Sequence, residues 1–274
     1  MADERRGPAF PGTMTTAYHD GVLGRMRSRS VGHRHAGVPE LVLVQGLAVA
    51  DYLLPGLGAL GAWTRAHLVE LPGYAGGADA RHRPTVVGFG RAVMDWLDAR
   101  RLGPVVLAGH SSGTQVAAEA AAGHPDVIGL VLAGPILDPS SRGLGRLVLR
   151  WLRDGRRERP GLVGVQRHEW RRSGPRRIIH LVQAHRGHRI EEPLTRLPVP
   201  LLVIRGRDDP IGTAGWARGL AALVPDGRYV EVAGAHTFPW RDPEAWSEPV
   251  RRFAIGLPRR QRPCDDRVGG APPG

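Results

Sequence analysis

Val105-Val106-Leu107-Ala108-Gly109-His110-Ser111-Ser112-Gly113-Thr114-Gln115-Val116 is the stretch that decides the fold of this chain. Its apolar start, Val105 to Ala108, reads as a buried strand, and the alanine-rich run from Thr114 to Ala122 reads as a helix. Gly109-His110-Ser111-Ser112-Gly113 therefore falls where a strand turns sharply into a helix. In such a turn the two glycines let the backbone pack closely, and the middle serine stands strained and exposed at the strand's carboxyl end. The five-residue pattern alone is a weak signal. The strand–turn–helix context raises its weight, and a carboxylate and a histidine downstream raise it further.

The rhythm continues on both sides. Tyr18 to Arg34 reads as a hairpin with its turn signal at Asp20-Gly21. Leu41 to Val44 reads as a buried strand, Leu53 to Trp63 as a helix entered near Pro55, and His67 to Leu71 as a strand. Thr85 is placed to cap a helix with Val86, Phe89, Val93 and Leu97 on one face, stopped by Gly103-Pro104. Further strands are expected at Val127 to Leu132, Pro200 to Ile204 and Tyr229 to Val232, and a last helix from Asp242-Pro243 with Pro249 inside it. Strands apolar on both faces and separated by helices predict an α/β fold with a mostly parallel sheet covered on both sides.

The rhythm breaks between Ile136 and Thr195, which contains no strand-like run. Leu144, Leu147, Val148, Trp151 and Leu152 share one helical face, Arg142, Arg146, Arg150 and Arg153 share the other, and Arg176 to Ala184 reads as a second short helix. The expected organisation is a core of residues 16–135 and 196–255, a helical cap at 136–195, and ends at 1–15 and 256–274 without fixed structure. The cap carries fourteen arginines against six carboxylates. Its apolar face, including Trp151 and Leu152, is expected to roof an acyl pocket, with most of its arginines toward water.

A serine hydroxyl is a poor nucleophile at neutral pH and needs a base, which in turn needs an orienting acid. The strand ending at Ile204 runs into Arg205-Gly206-Arg207-Asp208-Asp209, and the strand ending at Val232 runs into Ala233-Gly234-Ala235-His236. Parallel strands place these ends on the same sheet edge as Ser111. Asp208 is an alternative to Asp209 as the acid, and Asp138, after the strand ending at Leu132, is a third.

Residues 17–255 resemble the α/β-hydrolase superfamily, in its form with a helical cap. The matching pieces are Val42-Leu43-Val44-Gln45-Gly46, Leu71-Pro72-Gly73-Tyr74, Gly109 to Gly113, Gly206-Arg207-Asp208-Asp209 and Gly234-Ala235-His236. The resemblance implies a catalytic triad of Ser111, Asp209 and His236. It also implies an oxyanion hole from the backbone N–H groups of Leu47 and Ser112. Relatives often carry His-Gly where this chain has Gln45-Gly46, so support for that loop differs here. Gln45, Gly46, His110 and Trp151 are the expected substrate-binding residues, His110 by shaping or packing the pocket. The variant Pro72-Gly73-Tyr74-Ala75-Gly76-Gly77 is expected to carry no catalytic role.

A serine at position 111 disfavours the relatives that use a carboxylate nucleophile, the epoxide hydrolases and haloalkane dehalogenases. The expected activity is a serine hydrolase that cleaves a small or medium carboxylic ester through an acyl-enzyme. Two alternatives stand beside it. One is carbon–carbon bond hydrolysis of a vinylogous diketone, whose enzymes share the Gly-Arg-Asp-Asp turn. The other is a non-catalytic ligand-binding protein of the same fold.

Composition bounds the remaining classes. The 274 residues suffice for a sizeable core. The net charge of +12 invites a nucleic-acid partner, yet all 38 basic residues are arginine and the chain holds neither lysine nor asparagine, which looks like a bias toward GC-rich codons. The expected partner is a small-molecule substrate, with no nucleic acid and no membrane, and no cofactor. Among the twelve histidines, His180, His185 and His188 do not share one helical face, so no metal site is expected, and the histidines without an assigned role are expected at the surface. Cys264 is the single cysteine, and no apolar run follows Met1-Ala2-Asp3-Glu4-Arg5-Arg6 as in a secretory leader. A reducing cytoplasm is the expected compartment.

Overall fold

The computed structural model describes residues 13–74, 85–158 and 160–258. The expectations for the chain ends, as far as they concern residues 1–12 and 259–274, and for the loop at 75–77 lie outside the described residues. Two antiparallel strands, β1 (Thr15–Gly21) and β2 (Gly24–Val31), form the hairpin. β1 thus begins inside the amino-terminal segment expected to lack structure, because its residues find partners across the hairpin.

The core strands are β3 (Glu40–Val44), β4 (Ala66–Glu70), β5 (Val105–His110), β6 (Val127–Ala133), β7 (Leu201–Gly206) and β8 (Gly227–Val232). They join the hairpin in one eight-stranded sheet of order β1-β2-β4-β3-β5-β6-β7-β8. β2 meets β4 antiparallel, and every pairing beyond that is parallel.

Alternate residues of each strand serve opposite faces, as the two-residue repeat of a strand requires. Val42 and Val44 enter one apolar cluster with Val116, Ala117, Phe89 and Leu220, whereas Leu41 and Leu43 enter the other with Leu57, Trp246 and Phe253. The first layer is built by helices α2 (Val86–Arg100), α3 (Gly113–Gly123) and α8 (Ala214–Ala222), the second by α1 (Leu54–Gly61) and α10 (Pro243–Ile255). Capping follows the sequence signals. Thr85 Oγ1 accepts from Gly88 N–H, and Asp242 Oδ1 accepts from Ala245 N–H. Helix α8, not among the expected helices, has the same device at Thr213, which accepts from Trp216 N–H.

Between β6 and β7 lie α4 (Leu144–Gly155), α5 (Leu162–Ser173), α6 (Pro175–Gly187) and α7 (Glu191–Leu194); a short α9 (Phe238–Arg241) follows β8. The setting of α4 departs from the expectation in part: Arg146 and Arg153 face water as expected and Leu147 packs on Ile136, Leu137 and Ile211, but the rest of the apolar face is not covered. Leu144, Val148, Trp151 and Leu152 are about half exposed, at 53%, 46%, 49% and 52%. The edge that docks on the core is mixed: beside Leu147, Arg150 pairs with Asp138 at 2.6 Å, and Asp154 is buried. The reason is electrostatic. The loops beneath α4 offer a carboxylate and free N–H groups, which a charged edge satisfies and an apolar edge would leave unpaired. The histidines also depart from expectation. His67 is buried between Ser30 (2.7 Å) and Glu40 (2.6 Å), and His124 is buried beside Asp98. His185 and His188 dock α6 on α3 through Gln115 and Glu119, each at 2.7 Å. Among the described residues no helix is long and apolar enough to cross a membrane.

Candidate active site

Ser111 follows directly on β5 and takes φ of 56°, the left-handed region that a non-glycine residue enters only under constraint. The constraint is close packing on both sides of the turn. A Cβ on Gly113 would lie 2.3 Å from the carbonyl oxygen of Gln45 and 2.6 Å from that of Val44, so only glycine lets α3 start against the end of β3. Ser111 N–H donates to Ala133 O at 2.9 Å, and Thr114 Oγ1 donates to Ser111 O at 2.6 Å.

Three remote segments meet here. His236 Nε2 lies 2.9 Å from Ser111 Oγ, and His236 Nδ1 lies 2.8 Å from Asp209 Oδ2. The other oxygen of Asp209 accepts from the N–H groups of Ile211 (2.7 Å) and Gly212 (3.0 Å). Arg205 fixes the loop around this acid: it donates to Asp209 O at 2.8 Å and Gly212 O at 2.6 Å, and pairs with Glu231 at 3.1 Å. The alternative carboxylates are elsewhere. Asp208 is exposed, and Asp138 is bound to Arg150 and Ser140.

The electrostatics follow from burial and company. Burial pushes the Asp209 carboxyl up, but the His236 charge, its hydrogen bond and the two backbone donors bring it below the usual carboxylate value. Burial alone would lower the His236 imidazolium, but the charge and hydrogen bond of Asp209, with the charges of Asp154 and Glu158, raise it to about 9. A base must be neutral to accept a proton. Activity that depends on His236 is therefore expected to fall as pH drops below about 9, with the acid limb of kcat/KM well above the ordinary imidazole value of 6.5. An acid limb at or below 6.5 would contradict this reading.

Three carboxylates from the segment between β6 and β7 also reach the loops of the site. From the end of α4, Asp154 Oδ1 accepts from His236 N–H at 3.0 Å, and beyond it Glu158 Oε1 accepts from Thr237 N–H at 2.7 Å. From α5, Glu169 Oε2 accepts from Ala50 N–H (2.8 Å) and Asp51 N–H (3.0 Å), just past the expected oxyanion loop. Burial, followed by the nearby charges of His236 (lowering) and Glu158 (raising), brings Asp154 up to about 7; burial and Asp51 bring Glu169 up to about 7. The cap thus grips the loops on both sides of the serine with carboxylates. Nothing in the sequence separates these acids from the others in an arginine-rich segment. Asp154→Asn keeps an acceptor for His236 N–H and removes a negative charge, so the acid limb is expected to move to lower pH. An unmoved limb would show that this carboxylate does not tune the histidine.

His110 faces away from solvent, with Nε2 3.0 Å from the carbonyl oxygen of His236 and Nδ1 2.6 Å from Tyr52 Oη. A carbonyl only accepts, so Nε2 donates and Nδ1 accepts from the tyrosine. Burial, then the neighbouring His236, lowers His110 to about 3, which fixes it as neutral. Both ring nitrogens are engaged within the protein, so His110 supports the histidine loop from behind. Tyr52→Phe leaves Nδ1 buried without a donor and is expected to lower stability by about 1–3 kcal/mol in urea unfolding. No change would remove this relay.

Gly46 stands against the serine: a Cβ built on it would be 3.5 Å from Ser111 Cβ and 2.4 Å from Tyr52 Oη. Gln45 is buried, and its amide has no partner among the described residues. Leu47 O accepts from Trp170 Nε1 at 3.4 Å, and Trp151 packs edge-on against Trp170 with ring centroids 5.6 Å apart. Ser112 is buried at the start of α3. Among the described residues, the backbone N–H groups of Leu47 and Ser112 have no protein acceptor.

A serine on a strand–helix elbow thus stands within hydrogen-bond reach of an imidazole that is bonded to a carboxylate, all three just beyond the carboxyl ends of parallel strands. The chain belongs to the alpha/beta hydrolase family, whose model matches residues 41–248. A comparison with curated proteins found no match. Similar solved structures include the enol-lactonase from Burkholderia xenovorans LB400, at 20% identity and TM-score 0.71, covering 86% of this chain and 99% of that one. A thermophilic esterase from Thermogutta terrifontis has 17% identity and TM-score 0.70, covering 88% and 98%. The carboxylesterase CesB (YbfK) from Bacillus subtilis has 18% identity and TM-score 0.66, covering 89% and 92%. At these identities the likeness is one of fold.

Proposed function

We propose that this protein is a serine hydrolase that cleaves a small or medium carboxylic ester through an acyl-enzyme. The observation that carries the reading is the continuous relay Ser111 Oγ–His236 Nε2 at 2.9 Å and His236 Nδ1–Asp209 Oδ2 at 2.8 Å. Ser111 Oγ attacks the acyl carbon while His236 Nε2 takes its proton, and Asp209 holds the resulting imidazolium. The N–H groups of Leu47 and Ser112 receive the oxyanion. Collapse breaks the acyl–oxygen bond, and His236 returns the proton to the leaving alcohol. Water then repeats the sequence on the acyl-enzyme, releasing the acid and restoring Ser111. The chemistry needs only protein groups and a small-molecule substrate.

The cap, residues 136–195, sets substrate choice in this proposal, with Trp151 and Trp170 beside the oxyanion loop. The solved relatives named as an esterase, a carboxylesterase and an enol-lactonase support acyl–oxygen chemistry on this fold. The test pairs covalent labelling by a fluorophosphonate with p-nitrophenyl esters from acetate to laurate. Labelling at Ser111 with turnover of the shorter esters is expected. Absence of labelling would defeat the nucleophile assignment. Labelling without ester turnover, with cleavage of a vinylogous diketone, would replace the bond type.

A further inference from the structure

Beside the loop that carries Asp209 lies an open cavity of about 470 Å³, lined by Arg157, Arg205, Arg207, Asp208, Asp209 and Arg241. Neither Ser111 nor His236 lines it. Two of the charges are already committed. Arg205 holds the acid loop and Glu231, and the Asp209 carboxylate faces His236. That leaves three guanidinium groups against the one carboxylate of Asp208. None of the three forms an ion pair among the described residues. Arg157 Nη1 donates to the Asp208 carbonyl oxygen at 3.0 Å, and Arg241 Nη1 donates to the Arg157 carbonyl oxygen at 3.5 Å. These carbonyls orient the side chains without neutralising them. They come from three remote places: the segment after α4, the acid loop after β7 and the end of α9.

We propose that this cavity binds a phosphate-bearing small molecule, separately from the site around Ser111. Gathering three like charges around one concave surface is unfavourable until an anion joins them. Guanidinium forks match phosphate oxygens in paired hydrogen bonds, which favours a multiply charged oxyanion over chloride. The volume lies within the roughly 300–1,000 Å³ usual for small organic ligands, so it has room for an organic portion beside the phosphate. Such a ligand would also bridge the cap to the core, because Arg157 belongs to the same segment as Asp154 and Glu158, which hold His236 and Thr237.

Pyrophosphate is the probe, titrated by calorimetry and thermal denaturation at constant ionic strength with sodium chloride as the balancing salt. Saturable one-site binding with a raised Tm is expected for the wild type. Arg207→Gln and Arg241→Gln are each expected to weaken it by about tenfold. Asp208→Asn removes the one carboxylate of the lining that has no ion-pair partner among the described residues and is expected to tighten it, a gain that no unfolding could imitate. Protein blocked at Ser111 by a fluorophosphonate is expected to bind as the wild type does. No saturable binding, equal binding by the arginine variants, or loss of binding on blocking Ser111 would each overturn the proposal. Because the readout is binding, its failure is distinct from any failure of the ester chemistry.

Discussion

Ser111→Ala is expected to lower p-nitrophenyl acetate hydrolysis by about 10⁴–10⁶-fold, measured as kcat in purified protein of unchanged circular dichroism. The Oγ is the only atom lost, and it is the atom 2.9 Å from His236 Nε2. Alanine keeps the strained backbone at φ of 56°, so stability should stay close to the wild type. Ser111→Gly removes the same nucleophile but also the Cβ that makes this conformation costly. It is expected to be equally inactive and more stable by about 1 kcal/mol. Turnover retained in either variant would overturn the assignment of the nucleophile.

Asp209→Asn is expected to lower kcat by about 10⁴-fold. The amide can keep Oδ1 as acceptor for Ile211 and Gly212 N–H, which leaves an NH₂ group opposite His236 Nδ1. Two donors then face each other, and the imidazole must turn its proton to the nitrogen that should receive the one from Ser111. Asp208→Asn and Asp138→Asn provide the contrast. Asp208 is exposed and Asp138 is held by Arg150, so neither touches the histidine, and both variants should keep most ester turnover. A loss at Asp138 as deep as that at Asp209 would mean that the histidine changes partner during the reaction.

Much of this architecture was legible in the residues. The strands Leu41–Val44, Val105–Ala108 and Val127–Leu132 are apolar on both faces because helices cover both sides, and such runs are hard to read as anything else. Thr85 and Asp242 announced their helices because an N-cap is a local device. The serine elbow was legible for the same reason: the glycines at 109 and 113 answer to contacts within a few residues or at the next strand. Helix α8 is not legible in the same way although Thr213 caps it, since its alanine and glycine content gives a weak apolar period.

The half-exposed apolar stripe of α4 is not legible in its residues. The sequence pattern of α4 states which residues share a face, and the pattern is there. It does not state what lies underneath, and an apolar stripe is normally the buried one. Here the underlying loops present Asp138 and the N–H groups of His236 and Thr237, so Arg150, Asp154 and Glu158 turn inward and Trp151 and Leu152 remain half exposed. What is local or periodic can be read from the residues: the alternating layers, the elbow, and the presence of an acid and a histidine at two later strand ends. Which carboxylate meets His236, that Tyr52 and His110 brace it from behind, and that Asp154, Glu158 and Glu169 hold both flanking loops emerge from packing alone. Those choices are pairings between groups far apart in the chain, and the free energy of a buried charge or N–H depends on the partner that folding brings to it.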